Sequence, residues 1–507
     1  MNWSYVLENN AREFPNKEAI IFGERRLTYK QLGERVDALA RGLQQLGLRR
    51  GDVVGILLLN CLEYLEVTFA VNKLGGGWLP MNYRLAGPEV TYILNHSEAK
   101  MLISEKEFEP LIQGIRKDIP GVQKVIGVGK EVPAGWESYD GLVEDNKGSK
   151  VPHALVDLDD LHRLMYTSGT TAHPKGVMIT YGNLYWKNVG HIIMFDLKPE
   201  DKTLVVGPLY HVGGLDLTAT GTLNVGGSLV ILRRFDPIPV LQAIQKERPT
   251  NAWFAPTMVN ALFQEPTFDR YDVRSIRFII DGGEKMPMPL ITKMKEKFPN
   301  AWFADAYGLT ETVSGDTFLA KDKMIAKIGS VGKPVFQLRV RIVDDEDRDV
   351  PPNTLGEIVL RGPKVFKGYW KNPQATAEAI KNGWFHTGDI GTLDEEGYLY
   401  IVDRKKDVII SGGENIASLE VERVIYELPQ VLETAVVGIP HPKWQEVPKA
   451  FVVLKKGEKL TAEEIKAHCS KKLAKFKVPQ EVEFIDMLPR NPSGKILKRE
   501  LRQRPKP

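Results

Sequence analysis

Residues 166–177 have the composition of a loop that binds a polyanion. They follow an apolar, strand-like run at 164–166 and end in a single ammonium at Lys175. Four hydroxyls surround a central glycine: Thr167, Ser168, Thr170 and Thr171 around Gly169. A triphosphate needs such a set of short donors, accessible backbone N–H groups and one mobile cation. The loop is not of the Walker type, because Pro174 and Gly176 stand where that motif has glycine and a metal-binding hydroxyl.

Helical and strand-like segments alternate around this loop. Apolar runs of strand length occur at 53–59, 101–103, 124–128, 204–206, 229–231, 252–254 and 278–280. Helical periodicity is found at 4–14, 29–47, 63–74, 238–247 and 287–298, and Gly75 to Gly77 predict a stop. That rhythm predicts an α/β fold with largely parallel sheets. From Val340 strict alternation predicts a small β-rich subdomain, after which the chain returns to mixed helix and strand.

Length, charge and cysteine content exclude several classes of protein. A chain of 507 residues is too long for one core, so we expect roughly two to four domains. The net charge of +3 is too small to indicate nucleic-acid binding. The two cysteines, Cys61 and Cys469, exclude a disulfide framework and indicate a reducing compartment. No signal peptide and no membrane-length apolar run is visible, so we expect a cytoplasmic protein.

Charge is distributed unevenly along the chain. From Arg404 to the end there are 21 basic and 14 acidic residues, whereas the preceding part is mildly acidic. A basic C-terminal unit suits a substrate that is rich in phosphate, although basic ends are often only solvated. The change in charge places a candidate domain boundary near Arg404.

Six segments, taken in order, resemble the motifs of the adenylate-forming superfamily of acyl-CoA synthetases, adenylation domains and luciferases. They are 166–177, 208–214, 305–311, 385–389, 403–416 and 489–496. Within this superfamily the chain most resembles bacterial acyl-CoA synthetases of the fatty-acid type, and the resemblance covers nearly the whole chain. One such motif alone is weak, whereas six in the correct order are specific.

The resemblance implies a division into two domains. Residues 1–402 form the body that holds ATP and the acyl group, built from layered, mostly parallel sheets with helices and the small β-rich subdomain. Residues 403–507 form a small, mobile α+β domain, hinged near Lys406, which carries the catalytic-lysine loop at 489–496. The acyl pocket is expected between 211–215, 254–258 and 282–285, where segments following strands supply glycines and apolar side chains.

The resemblance also implies the reaction. A carboxylate is a poor electrophile, so it first attacks the α-phosphate of ATP to give an acyl-adenylate, and the thiol of coenzyme A then displaces AMP. Positive charge must sit where the two anions meet in the first step. Lys495 is expected to supply it. Magnesium, which prefers hard oxygen ligands, is expected at Glu311 and Thr170.

Further roles follow from the same resemblance. Catalysis is assigned to Lys495, Thr170, Glu311 and the gating residue His211. ATP or AMP is assigned to Thr167, Ser168, Gly169, Thr171, Lys175, Gly282, Gly283, Asp305, Ala306, Tyr307, Gly308, Thr310, Asp389 and Arg404. Coenzyme A is assigned to Gly412, Gly413 and Trp444. The chemistry fits, since a turn carboxylate at Asp389 can accept from ribose hydroxyls and Tyr307 can pack on the base.

Two positions depart from the pattern of the superfamily. Ala172 replaces a glycine in the phosphate loop, and Gln445 replaces the glycine that commonly follows the tryptophan near coenzyme A. A left-handed backbone at position 172 would cost about 1–2 kcal/mol for a residue with a Cβ atom. The first departure can slow turnover, and the second affects the detail of the coenzyme A contact.

The acid itself is not declared by the sequence. We expect a fatty acid of medium or long chain, with ATP and coenzyme A as co-substrates. The alternatives are an aryl-CoA ligase of the coumarate or ferulate kind, a unit that loads a carrier protein, and a nucleotide-binding relative without activity. The last is disfavoured because Lys495, Glu311 and Asp389 are all present. Membrane association is expected to be peripheral at most, and a homodimer stays open.

Overall fold

The computed structural model describes residues 2–167, 174–282, 286, 288–404, 407–411, 414–490 and 496–504. Its helices are α1 (Ser4–Glu13), α2 (Tyr29–Gln45), α3 (Leu62–Lys73), α4 (Gly87–His96), α5 (Glu109–Ile115), α6 (Tyr139–Asp145), α7 (Tyr181–Phe195), α8 (Val212–Leu215), α9 (Ala219–Asn224), α10 (Pro237–Glu247), α11 (Pro256–Gln264), α12 (Met288–Lys297), α13 (Pro373–Ala379), α14 (Ser418–Ile425), α15 (Ala462–Ser470) and α16 (Lys498–Gln503).

The strands up to the end of the phosphate-loop hairpin are β1 (Glu18–Phe22), β2 (Arg25–Thr28), β3 (Val53–Leu57), β4 (Gly77–Pro80), β5 (Ala99–Glu105), β6 (Lys124–Val128), β7 (Glu137–Ser138), β8 (Leu161–Thr167) and β9 (Lys175–Thr180). The next are β10 (Lys202–Val205), β11 (Ser228–Ile231), β12 (Asn251–Trp253), β13 (Phe278–Asp281), β14 (Trp302–Tyr307), β15 (Thr317–Phe318), β16 (Lys333–Pro334), β17 (Arg339–Val343) and β18 (Gly356–Arg361). The last are β19 (Gly368–Tyr369), β20 (Ile380–Lys381), β21 (Trp384–Leu393), β22 (Leu399–Arg404), β23 (Ile409–Ser411), β24 (Glu414–Ile416), β25 (Val431–His441), β26 (Gln445–Leu454) and β27 (Glu481–Phe484).

Two large sheets form the body of the protein. The first has nine strands in the order β16-β15-β14-β13-β12-β10-β11-β1-β2, and its six central strands, from β14 to β1, are parallel. The second has eight strands in the order β19-β9-β8-β4-β3-β5-β6-β7. Strand β9 is antiparallel to both of its neighbours, β8 and β19. The predicted α/β fold with largely parallel sheets is therefore confirmed.

Helix α3 lies between the two sheets. All twelve of its residues are buried, and it contacts β1 of the first sheet and β4 of the second. Helix α2 covers α3 with the apolar face that the periodicity predicts, including Leu32, Val36 and Leu43. Its start is fixed by a capping box. The Thr28 hydroxyl accepts from the backbone N–H of Gln31, and the Gln31 side-chain oxygen accepts from the backbone N–H of Thr28. The main core is the space around these helices.

Strand ends differ from the sequence pattern at two places. The apolar run 53–59 ends as a strand at Leu57. The N–H of Leu59 donates to the side-chain carboxylate of Glu105 and not to a backbone carbonyl of a neighbouring strand. The predicted glycine stop is shorter than expected, since Gly77 already pairs with Val53 as the first residue of β4. Apolar content indicates a strand, but hydrogen-bond partners decide where it ends.

Two smaller five-stranded sheets follow. The predicted β-rich subdomain is the antiparallel sheet of β17, β18, β20, β21 and β22. The second, β24-β23-β26-β25 with β27 beside β26, packs with α14, α15 and α16 in the C-terminal part. Strand β22 crosses the boundary predicted at 402/403, and Asp403 accepts hydrogen bonds from the N–H and hydroxyl of Ser418, both at 2.6 Å. The predicted hinge residue Lys406 lies outside the described residues.

Within the described ranges, every helix is too short or too polar to cross a bilayer.

Gln445 has a left-handed backbone, with φ of 66°. It follows the turn between β25 and β26 and pairs with His441, a position that favours glycine in hairpins of this kind. We predict that Gln445→Gly stabilises the C-terminal sheet by about 0.5–1 kcal/mol, because the strain exceeds the entropy that glycine loses on folding. Native-state hydrogen exchange of the β25 and β26 amides measures this. Lys466→Gly in α15 is the control and should destabilise, and destabilisation by both changes would contradict the prediction.

Candidate active site

The carboxyl ends of four neighbouring parallel strands bring the predicted residues to one edge of the first sheet. Strands β14, β13, β12 and β10 are adjacent in that order, and the chain after each carries part of the site. His211 follows β10, Gly282 follows β13, and Tyr307 ends β14. Ligands of open α/β sheets bind outside such carboxyl ends. Segments that are far apart in sequence therefore share one cleft.

Strand β14 carries Asp305, Ala306 and Tyr307, and Gly308 follows it. Asp305 and Ala306 are buried, and a Cβ atom at Gly308 would lie 2.4 Å from the backbone nitrogen of Gly315. Only glycine allows this close approach. The chain then forms a 3-10 turn.

That turn, Thr310–Thr312, holds Glu311 in a partly buried position. The hydroxyl of Tyr369 donates to Glu311 Oε1 at 3.0 Å, and the N–H of Phe366 donates to the Glu311 carbonyl at 2.7 Å. Burial raises the pKa of Glu311, against the hydrogen bonds from its own backbone and from Tyr369 and the charge of Arg404. The side chain and the backbone of Glu311 are therefore both held from one segment, 366–369.

Asp389 connects the first sheet to the β-rich subdomain. One carboxylate oxygen accepts from the Tyr307 hydroxyl at 2.7 Å, and the other lies 3.4 Å from Nε of Arg404. Asp389 and Arg404 are direct neighbours on β21 and β22, and the aspartate is 5% exposed. Burial and then the charge of Asp389 raise the pKa of Tyr307, so its hydroxyl stays a donor. Three residues that the sequence assigned to ATP thus form one connected group.

The phosphate-loop hairpin lies in the second sheet. Thr167 at the end of β8 pairs with Lys175 at the start of β9, and the Lys175 ammonium lies 5.0 Å from the centre of the Tyr369 ring. The predicted loop residues Ser168, Gly169, Thr170 and Thr171, together with Ala172, lie outside the described residues, as does Gly283. Strand β19 pairs with β9 and places Tyr369 between the hairpin and Glu311.

His211 and Trp253 are neighbours beside the segments that are predicted to line the acyl pocket. His211 precedes α8 and its Nδ1 accepts from the N–H of Gly213 at 3.0 Å, which places the ring proton of the neutral imidazole on Nε2. The Trp253 ring lies 6.3 Å from the His211 ring, tilted by 33°. A Cβ atom on Gly207 would lie only 2.5 Å from the indole, and one on Gly213 only 2.8 Å. The indole therefore lies flat across two glycines.

Glu311 fits the magnesium that the resemblance implies. The described residues contain no cluster of three or more His, Cys, Asp or Glu that could hold an ion alone. A single carboxylate suits magnesium when substrate phosphates and waters supply its other ligands. A cation beside Glu311 would also offset the cost of burying its charge. Thr170, the second predicted ligand, is not described.

The residues assigned to coenzyme A lie in the C-terminal part. Trp444 is 41% exposed at the β25–β26 turn, where its backbone N–H donates to His441 Nδ1 and the Lys443 ammonium lies 4.6 Å from its ring. Gly412, Gly413 and the predicted catalytic residue Lys495 lie outside the described residues. An exposed, cation-capped indole can stack on a base, so the geometry of Trp444 suits its predicted role.

Sequence reasoning missed two residues of the site. Tyr369 is separated by 58 residues from Glu311, and no periodicity or spacing links them. In the sequence, Trp253 is only part of the apolar run 252–254. Its place at a strand end is the one signal that could indicate a side chain beside the acyl pocket. Both positions depend on contacts between distant segments.

Comparison with known families agrees with this geometry. The family model described as AMP-binding enzyme matches residues 7–370, and the model described as AMP-binding enzyme C-terminal domain matches residues 420–495. The chain belongs to the AMP-binding enzyme family. The predicted membership of the adenylate-forming superfamily is thereby confirmed.

Relatives of this AMP-binding enzyme include ligases of aromatic and of fatty acids. It is 40% identical to the feruloyl-CoA synthase of Amycolatopsis sp. over 494 residues, 97% of each chain. A crystal structure of an anthranilate CoA ligase with anthranoyl-AMP superposes with a TM-score of 0.93 at 29% identity, covering 99% of this chain and 97% of that one. The fatty acyl CoA synthetase of Mycobacterium tuberculosis gives a TM-score of 0.79 at 34% identity, covering 99% and 98%.

The packing at Trp253 in this AMP-binding enzyme gives a test by second-site rescue. Gly213→Ala should lower the free energy of unfolding by about 1–3 kcal/mol, because the added methyl meets the rigid indole. In a Trp253→Ala background that cost should largely disappear. Urea unfolding of the single and double variants measures it.

Gly214→Ala is the matched control. A Cβ atom there would lie 2.3 Å from the backbone oxygen of Pro208, so removing the indole cannot relieve the clash. Equal rescue of both alanine variants, or of neither, would show that Trp253 does not define this packing.

Proposed function

We propose that this protein is an AMP-forming acid–CoA ligase that acts on an aromatic carboxylic acid. The observation that carries the proposal is the group formed by Tyr307, Asp389 and Arg404 next to Glu311, which suits a bound nucleotide. The family assignment and the named ligases among its relatives support the reaction class. The contacts within this group support a separate chemical role for each residue.

In the first half-reaction the nucleotide lies at the carboxyl edge of the first sheet. Asp389 accepts from the ribose hydroxyls, Tyr307 packs on the adenine, and Asp305 accepts from its amino group. The acid's carboxylate oxygen attacks the α-phosphorus, the bond to the β-phosphate oxygen breaks, and pyrophosphate leaves. Lys175 holds the departing phosphates, and Lys495 stabilises charge where the two anions meet.

Magnesium fits the carboxylate of Glu311 and, by resemblance, the hydroxyl of Thr170. When bound, the ion neutralises charge on the phosphates of ATP. Glu311 is suited to hold it because its position is determined by the bonds from Tyr369 and Phe366. The chain's own part is to present that carboxylate in a fixed place.

In the second half-reaction the thiol of coenzyme A attacks the acyl carbon, the bond to the AMP oxygen breaks, and AMP leaves. We assign this step to a rotation of residues 403–507 about Lys406, which brings Gly412, Gly413 and Trp444 to the acyl-adenylate. The division lies at the end of β22, whose last residues Asp403 and Arg404 still pair with Ile390 and Asp389 of the body, while the Asp403 carboxylate bonds to Ser418 of the C-terminal part. The two residues thus connect opposite sides of the proposed boundary.

An aromatic acid suits the pocket better than the fatty acid that we expected from the sequence. The buried ring of Trp253 and the His211 ring lie 6.3 Å apart near the carboxyl ends of β12 and β10, and aromatic side chains in this place suit a planar acyl group. The anthranilate ligase, whose bound anthranoyl-AMP carries an aromatic acyl group, matches 99% of this chain. Among the curated relatives, the feruloyl-CoA synthase also acts on an aromatic acid by its name.

A substrate panel tests the proposed acid. With ATP and coenzyme A, ferulate, coumarate or substituted benzoates should exceed octanoate and palmitate by at least about tenfold in kcat/KM, the scale of shape discrimination in an apolar pocket. Pyrophosphate release and thioester formation are measured together. A carrier protein replaces coenzyme A as the control. Preference for octanoate and longer acids would contradict the proposal, as would acyl transfer to the carrier alone.

Lys495→Ala separates the two half-reactions. Formation of acyl-adenylate from ATP and acid should fall by ~10²–10³-fold, the usual loss when one preorganised charge-stabilising donor is removed. Conversion of supplied acyl-adenylate and coenzyme A to thioester should stay near the parent rate, because the thiol attacks a neutral acyl carbon. A comparable fall in both steps would show that Lys495 has a structural or different role.

A further inference from the structure

Tyr369 holds the carboxylate of Glu311 from the opposite sheet. Its hydroxyl donates to Glu311 Oε1 at 3.0 Å, while its backbone pairs with Val177 of the phosphate-loop hairpin. The ring is 8% exposed, packs edge-on against Phe366 at 4.9 Å and lies under the Lys175 ammonium. A carboxylate can only accept, so the phenol is the donor in this bond. The phenol is thus fixed on all sides and directed at one carboxylate oxygen.

The backbone after Glu311 is held in a costly conformation. Val313, Ser314 and Gly315 are left-handed in succession, with φ of 57°, 60° and 62°. A β-branched residue rarely adopts this region, and such strain persists only where the surroundings determine it. The ammonium of Lys364, 1% exposed, donates to the carbonyls of Ser314 at 2.8 Å and Gly315 at 2.7 Å.

The charge of Lys364 is balanced within the same turn. Its ammonium lies 2.8 Å from Asp316, which in turn accepts from the Thr312 hydroxyl at 2.5 Å. With the bond from the Phe366 N–H to the Glu311 carbonyl, the segment 364–369 contacts this turn at its backbone and at its catalytic side chain. A single segment therefore controls both the path of the turn and the direction of the carboxylate.

We propose that Tyr369 is a positioning residue that orients the Glu311 carboxylate toward the divalent cation accompanying ATP, and that Lys364 holds the turn from which Glu311 extends. This inference rests on the proposed function. Tyr369 acts through Glu311 and does not touch the substrate. With one carboxylate oxygen held by the phenol, rotation of the group is restricted and the direction of the other oxygen is fixed. The same phenyl ring supports Lys175, so one residue couples the phosphate loop to the metal ligand.

Tyr369→Phe removes one hydroxyl and retains the ring that packs on Phe366 and supports Lys175. We expect the magnesium concentration for half-maximal adenylation to rise about tenfold, the loss of one hydrogen bond to a charged group. The affinity for Mn²⁺ in the presence of ATP, measured by electron paramagnetic resonance, should fall by a similar factor. The thioester-forming step from supplied acyl-adenylate should change less, since it does not involve the ATP phosphates. Tyr185→Phe, on the exposed face of α7, is the control and should leave all three unchanged.

Either of two results would contradict this inference and leave the proposed function intact. If Tyr369→Phe matches the parent in magnesium requirement and in Mn²⁺ affinity, the hydroxyl does not orient Glu311. If it lowers both half-reactions equally at saturating metal, with a lower melting temperature, its role is structural. A parent protein whose ATP binding does not depend on metal would overturn the metal role of Glu311 in the proposed function as well.

Discussion

Two hydrogen bonds between sheets, from Tyr307 to Asp389 and from Tyr369 to Glu311, fix the positions of the two carboxylates in the candidate site. Each joins a phenol to a partly or fully buried carboxylate, and each connects segments that belong to different sheets. A charged acceptor strengthens such bonds, and leaving a carboxylate without its partner in a buried place is costly. The proposed ATP site therefore lies where three sheets meet, and its geometry depends on their relative placement. The positions of the proposed metal ligand, Glu311, and the proposed ribose ligand, Asp389, are therefore fixed by contacts between sheets.

Close packing against glycine shapes the neighbouring acyl pocket. The Trp253 indole fills the space over Gly207 and Gly213, and a methyl group at either position would collide with it. This arrangement places a rigid aromatic side chain beside His211, next to the proposed acyl pocket. A rigid aromatic wall favours planar ligands because the stacked area is preformed and little conformational entropy is lost on binding.

Buried charges hold the elements behind the site. Arg163 of β8 pairs with Asp216 at 2.6 Å, both essentially unexposed, while the ammonium of Lys187 donates to the Asp216 carbonyl and to Thr220. Burial lowers the pKa of Lys187 to about 7, with the charge of Asp216 opposing this. Removing one partner of such a group leaves an uncompensated charge and is strongly destabilising, whereas the intact group adds little net stability. Its role is to fix α7, α8 and the phosphate-loop strand relative to one another.

The sequence alone determined the α/β class, the order of the elements and the family, because apolar periodicity and short motifs are local properties. It also predicted Glu311, Asp389, Arg404 and Tyr307 as residues of a nucleotide site, through the resemblance of their motifs to those of the superfamily. The role of Tyr369, the wall formed by Trp253 and the left-handed turn at 313–315 were decided only by tertiary structure. Each depends on contacts between residues far apart in the chain, and no local pattern records which distant side chain will fill a space or satisfy a buried carboxylate.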